Sequence, residues 1–399
     1  MKVILYLSLS FLLLASPFCF GQIAPDGTIK VPIQPITVDD TAMTDAGAQL
    51  QFDIPGANKM SSDSKNALGQ GQIRSVPNFS SSFTFNGKVF PFTMVGAAPQ
   101  RGDTTKVEIQ FIPISLFFDG FVDAQGNNIV LDVAPLLPAI LNSPNFQDAG
   151  YRSGFTQFGD AVQRAEFFSV MKPDWHTLLQ RPRNLTPVQI EVPANVNIGQ
   201  LFVTRGTQEI FAVIDTSFFT SQLNTIIQLE KLDVDALPIA LTNRVFLGTN
   251  ANIRACCVVG FHTAFDAGTV DHKPAIQTFA WASWAGTQIF GGTFADVVAL
   301  SHEVSEWMND PFVNNATPSW LFPGSATHCQ SNLETGDPVE VFANAGFPVT
   351  IDGFTYHPQT EALLQWFSRK SPSDAIDGAY SFPDETILTT PSIQCPSRP

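Results

Sequence analysis

Gly291–Pro311 reads GGTFADVVALSHEVSEWMNDP, and its spacing predicts a helix with both ends marked. Thr293, with Asp296 three residues on, forms a capping-box pattern behind two glycines. Asp310-Pro311 supplies the stop, because the residue before a proline is pushed out of the α region. Phe294, Val297, Val298, Leu300, Val304, Trp307 and Met308 give the helix a broad apolar surface. On the remaining face Ala295, Ala299, His302 and Glu306 follow at steps of four, three and four. His302 and Glu306 therefore stack one turn apart, with Glu303 beside them.

This i, i+4 pair lets two ligands reach one divalent metal from one helix face, with zinc the first candidate. It resembles the H-E-x-x-H helix of zincin metalloproteases, with glutamate in place of the second histidine. Glu303 is then positioned to take a proton from water at the metal. The competing reading is an exposed charged turn that happens to spell the motif. Only eleven of the 36 acidic residues are glutamate and only six residues are histidine, so a chance match is rare. The apolar neighbours also argue against exposure.

Lys2, the apolar run Val3–Ala15 and small residues before Gln22 make residues 1–21 a secretory signal peptide, with cleavage expected near Gly21. The run is too short to span a bilayer, so no membrane anchor is expected after cleavage. A secreted chain, extracellular or periplasmic, follows. The net charge of −15 disfavours nucleic acid and anionic membrane as partners. Few charges (14%) beside 35 Phe, 29 Pro and 27 Gly suit a compact extracellular protein better than a disordered one. Signal removal leaves Cys256, Cys257, Cys329 and Cys395. An even count in an exported chain favours disulfides, and the adjacent pair lacks the C-x-x-C spacing of zinc sites. Ring strain between neighbours predicts that Cys256 and Cys257 each bond to Cys329 or Cys395 rather than to each other.

Residues 22–75 are polar and proline-punctuated, an extended arm with little core of its own. Residues 76–399 then form one large domain. Asn86-Gly87 between apolar runs is a hairpin signature, and Lys106–Phe118 alternates like a strand entering a core. Helical spacing marks 158–171 and 218–232, and short strands are expected at 188–192 and 210–214. Three strands, 243–247, 257–265 and 276–284, directly precede the organising helix. Asp352-Gly353 marks a second hairpin, before a short helix at 361–369. The fold class is α/β: a zincin-like mixed sheet packed on an active-site helix, with additional β hairpins and many loops.

The segment 241–367 resembles the secreted Exordium-like, phosphate-induced proteins and their bacterial relatives. The likeness rests on Ser301-His302-Glu303 with Glu306, Asp310-Pro311, Glu334 and Asp337 in an E-x-x-D, and Leu363-Leu364-Gln365-Trp366. Upstream, Cys257 and Gly260-Phe261-His262 match a cysteine and a glycine-aromatic-histidine segment. Pro338 stands where the family often has a cysteine, so its disulfide pattern does not transfer. The resemblance implies an extracellular protein with a zincin-like site and hands over no reaction.

His302 and Glu306 need a third ligand. Glu334, in the part a downstream glutamate plays in gluzincins, is the first choice, with Asp337 orienting a ligand from behind. Thr335-Gly336 between them is also ordinary turn material. Asp310, close in sequence to the ligands, ends the helix rather than binding the metal. His262 is either a core histidine or a ligand or oxyanion stabiliser. Two functions follow from these residues. One is a secreted metallohydrolase, a peptidase with Glu303 as general base and a peptide or cell-wall substrate. The other is a non-catalytic extracellular protein, binding wall polysaccharide or a surface protein, whose single divalent metal is structural or vestigial.

Overall fold

The computed structural model describes residues 22–23, 29–30, 33–39, 60, 73–286 and 289–396. The signal peptide expected at 1–21 lies outside these residues. The largest sheet among the described residues has eight strands. Its main path consists of β1 (Thr104–Val122), β2 (His176–Leu179), β3 (Ala236–Asn243), β4 (Gly260–Val270) and β5 (Lys273–Trp284), in spatial order β2-β1-β3-β5-β4, with three short strands also pairing with β1. The first four in that order run parallel, and β4 closes the path antiparallel to β5. The result is a mixed α/β architecture with helices on both faces.

Side-chain alternation along the strands assigns those faces. Phe261, Phe279 and Trp281 point to one core, which they share with Phe219, Leu223 and Ile226 of α2 (Thr216–Leu229). Ala264, Ile276, Ala280 and Ala282 point to the other, beneath α3 (Val298–Asn309). Gly260 pairs with Ala282 and His262 with Ala280, so small residues line the floor under α3 and let it approach the sheet closely. α1 (Phe158–Glu166) packs on the far side of α3, where a Cβ on Gly159 would stand 2.4 Å from the Met308 sulfur. Gln163 of α1 donates to the Met308 carbonyl near the end of α3 (3.0 Å).

Most predicted elements are found close to their expected bounds. The strand expected at 243–247, however, is divided between Ala236–Asn243 and Val245–Gly248, which belong to different sheets. The helix expected at 361–369 is Leu364–Ser368, after a short strand at Glu361–Ala362. The Asn86-Gly87 hairpin joins Asn78–Phe85 to Lys88–Val95, and the Asp352-Gly353 hairpin joins Val349–Ile351 to Phe354–Tyr356. The helix expected over 158–171 stops at Glu166, since Phe167 leaves helical geometry and joins the rings of Phe79, Phe92 and Trp175. Ile36–Val38 adds a parallel strand to Gly199–Thr204 at the edge of a second sheet, and Met60 is buried in the α3-side core.

Two expectations are corrected. Helix α3 begins at Val298 without a side-chain cap, because Asp296 takes a positive φ and breaks the preceding turn. Thr293 instead accepts from the Gly346 amide, and Asp296 accepts from the His357 amide and ring, so the capping-box residues pin the entry loop to distant segments. The disulfides also differ: Cys256 bonds to Cys257 and Cys329 to Cys395. The physical reason is placement. Cys256 and Cys257 are buried in the second sheet and the α3-side core, joined by a cis peptide that holds their Cα atoms 3.0 Å apart. Cys329 lies in the hairpin formed by β6 (Ala316–Leu321) and β7 (Cys329–Asn332), and the Cys395 amide bonds to Ser319 of that hairpin. Their Cα atoms are 6.0 Å apart, within the normal span of a bridge.

Candidate metal centre

Every residue of α3 is buried, including Ser301, His302, Glu303, Ser305 and Glu306. An exposed charged turn is thereby excluded. Charged side chains are rarely found fully buried without partners, so what surrounds them decides what the site is.

His302 Nε2 lies 3.1 Å from Glu306 Oε1 and 3.8 Å from Asp337 Oδ1. Its Nδ1 lies 3.2 Å from Gln359 Oε1, an acceptor that keeps the proton on Nδ1 and turns Nε2 towards the acids. Gln359 is itself fixed, its Nε2 donating to the Gly336 carbonyl (2.8 Å) and its amide to Ser301 Oγ (2.8 Å). On the neighbouring side His262 Nδ1 stands 3.4 Å from Glu303 Oε2 and 3.5 Å from Glu306 Oε2. His262 Nε2 is 3.9 Å from Glu334 Oε2.

Donor groups bound to one ion at 2.0–2.2 Å in a tetrahedral arrangement are about 3.3–3.6 Å from one another. The separations around His302 and His262 fall close to that range. His302, Glu306 and Asp337 offer one set of ligand atoms within 4.8 Å of one another, and His262, Glu303 and Glu306 offer a second. The residues present therefore fit a divalent cation.

The sequence-predicted residues are brought together in one cluster, with a particular division. Glu334 faces His262 rather than His302, and the further acid nearest His302 Nε2 is Asp337. Asp310 accepts from the Asn314 and Asn315 amides (2.9 and 3.1 Å), so its oxygens are occupied in turning the chain out of the helix. A pocket opens on the cluster, lined by His262, Glu306, Val313, Gln330, Asn332, Glu334 and Asp337. Glu303 and His302 stand behind this lining.

Two glycines permit the assembly. A Cβ on Gly336 would meet His302 Nδ1 at 2.3 Å, and the Gly336 amide donates to Glu306 Oε1 (3.0 Å). A Cβ on Gly260 would meet Glu303 Oε1 at 2.6 Å. Sequence reading missed the supporting polar groups. Gln330 donates to Asp337 Oδ2 and Asn332 to Glu334 Oε1, both at 2.7 Å. Gln330, Asn332 and Glu334 follow at steps of two along and just past β7, a one-face strand pattern that was available as a signal. Glu340 and Glu361 are also buried nearby, and no local pattern announces them.

Glu303, Glu306, Asp310, Glu334, Asp337, Glu340 and Glu361 thus share the site with two imidazoles. Among the described residues no lysine or arginine forms an ion pair with any of them. Burial raises the carboxyls of Glu334, Asp337, Glu340 and Glu361 well above their usual range. Burial likewise pushes Glu303 and Asp310 up to about 7, against the pull of nearby His262. Glu306 is the exception. Burial would raise it, but His302 and His262 outweigh that and hold it below the usual range. Burial would lower both imidazoles, yet the surrounding acids raise them well above theirs. Buried acids that hold their protons for want of any counter-charge beyond two imidazoles are the electrostatic environment in which a cation would bind and displace protons. No protein-family profile, curated protein or solved structure matches the chain.

Proposed function

We propose that the protein is a secreted metal-dependent hydrolase acting on peptide bonds. The observation that supports this is the convergence of two imidazoles and several acids, without a basic side chain, at the floor of a pocket. On this reading His302 Nε2, Glu306 and Asp337 hold the ion. When bound, a divalent ion there would polarise a substrate carbonyl and make water easier to ionise.

The proton acceptor in this reading is Glu334. Glu334 lines the pocket, and one of its oxygens is held by Asn332, which leaves the other directed at the space beside His262. Glu303, the base expected from the motif alone, lies behind Gly260 and His262 and does not line the pocket. A general base must come within hydrogen-bond reach of the proton it removes. The likeness to zincins and to the Exordium-like proteins belongs to the same reading: a buried helix on a mixed sheet, with an antiparallel edge strand carrying His262 beside it.

The test is hydrolysis of a broad peptide library by wild type and Glu334→Gln, with and without chelator. The expected outcome is a loss of about 10²–10⁴-fold in the variant, with its ion content unchanged. Indistinguishable activity across substrates, with or without chelator, overturns the hydrolase. A second reading is favoured by the burial of His302, Glu306 and Asp337 (0, 1 and 3% exposed). A closed set of ligands suits an ion that only stabilises an extracellular binding protein.

A further inference from the structure

Assigning Glu334 as the base leaves Glu303 and His262 without a role, although both are buried in the cluster at 0 and 3% side-chain exposure. Neither oxygen of Glu303 accepts a hydrogen bond of good geometry, and neither does His262 Nε2 take part in one. A buried carboxylate without hydrogen bonds is unfavourable unless a cation meets it. The helix spacing is also suggestive. His302 and Glu306 stack along one line of α3, while Glu303 is turned towards β4, where Gly260 leaves room for its carboxylate and His262 meets it.

The decisive feature is Glu306. Its two oxygens are divided between the imidazoles, Oε1 at 3.1 Å from His302 Nε2 and Oε2 at 3.5 Å from His262 Nδ1. The same two nitrogens each have one further acid, Asp337 beside His302 Nε2 and Glu303 beside His262 Nδ1, while Glu334 faces the other ring nitrogen of His262. The result is two ligand sets of one nitrogen and two carboxylates each, joined through one carboxylate. We infer that the centre is dinuclear, with Glu306 bridging one divalent cation held by His302 and Asp337 to a second held by His262 and Glu303. Two-ion sites linked by carboxylates from a helix are a recurrent arrangement. Oxygen-rich sets of this kind suit manganese as well as zinc. Both positions adjoin the pocket, which is lined by Glu306 and Asp337 of the first set and by His262 and Glu306 of the second.

This inference rests on the metal reading given above, and the test separates the two. The full chain is stripped with chelator, dialysed and titrated with Mn²⁺, and bound ion per chain is measured by elemental analysis alongside electron paramagnetic resonance. Two ions per chain are expected, with an exchange-coupled signal replacing the six-line pattern of isolated Mn²⁺. His262→Ala should bind one ion and give only the isolated signal, and His302→Ala should do the same. One ion per chain in wild type, with an isolated signal, overturns the dinuclear centre and leaves the single-ion hydrolase standing. No bound ion overturns both. The wild-type spectrum decides the matter even where a variant fails to fold.

Discussion

Helices α2 and α3 pack on opposite faces of one sheet and follow opposite rules. α2 buries Phe219, Leu223 and Ile226, keeps much of its remaining surface in water, and is capped by Asp215, which accepts from the Phe218 amide (3.0 Å). Its stability is a local matter of capping and an apolar stripe. α3 has no side-chain cap and buries two glutamates and a histidine whose partners come from residues as distant as His262, Gly336, Asp337 and Gln359. One helix is specified by its own sequence. The other is folded around a charge cluster that its own sequence cannot satisfy, and such departures from local rules gather at functional sites.

That contrast can be sharpened by a buried acid outside the cluster. Burial raises Glu166, at the end of α1, to about 8, opposed by the hydrogen bond its Oε1 accepts from the Leu364 amide (2.8 Å). The unfolded carboxyl titrates near 4.5. Between these values the folded state holds the extra proton, so stability falls as pH rises through the window and is level outside it. From pH 5 to 8 this group should cost wild type roughly 4 kcal/mol, and Glu166→Gln should lack that component. Urea unfolding of both proteins at the two pH values measures it; parallel curves would rule it out.

A smaller effect breaks the contrast from the α3 side. Gly336→Ala drives a Cβ into the His302 ring and should cost about 1–3 kcal/mol together with ion affinity. Gly150→Ala, where a Cβ meets nothing within 4 Å, is the control and should stay within about 0.5 kcal/mol. Equal thermal midpoints for the two variants would contradict the close approach described. The smallest effect belongs to α2: Asp215→Ala removes the cap and the bond that its other oxygen accepts from the Asn250 amide, together worth about 1–2 kcal/mol, and should leave ion binding untouched. A change in ion content there would mean that the two helices are not independent.

The same contrast explains what could be read from the sequence. Strand alternation, the Asn86-Gly87 and Asp352-Gly353 turns and the apolar spacing of α3 are local signals, and the elements they predict are present. His302 and Glu306 were legible from their spacing, and Glu334, Asp337 and His262 from their residue types in a resembling order. Which acid faces which imidazole was not legible, because it depends on how β7 and the loop to α4 (Asp337–Glu340) pass over α3. Gln359, Glu340 and Glu361 were missed for the same reason: each reaches the site through tertiary approach alone. The start of α3 was misjudged because Thr293 and Asp296 bond across to Gly346 and His357. The cysteine pairing does not follow from ring strain, because the fold brings Cys395 to the hairpin that carries Cys329 and leaves Cys256 beside Cys257.

Native mass spectrometry of the purified full chain, before and after chelation, tests the central claim most directly. The account predicts that the untreated chain carries bound divalent metal in excess mass removed by chelator, and that His302→Ala carries less. An untreated chain whose mass equals that of the polypeptide alone, and stays so when Zn²⁺ or Mn²⁺ is added, would contradict it.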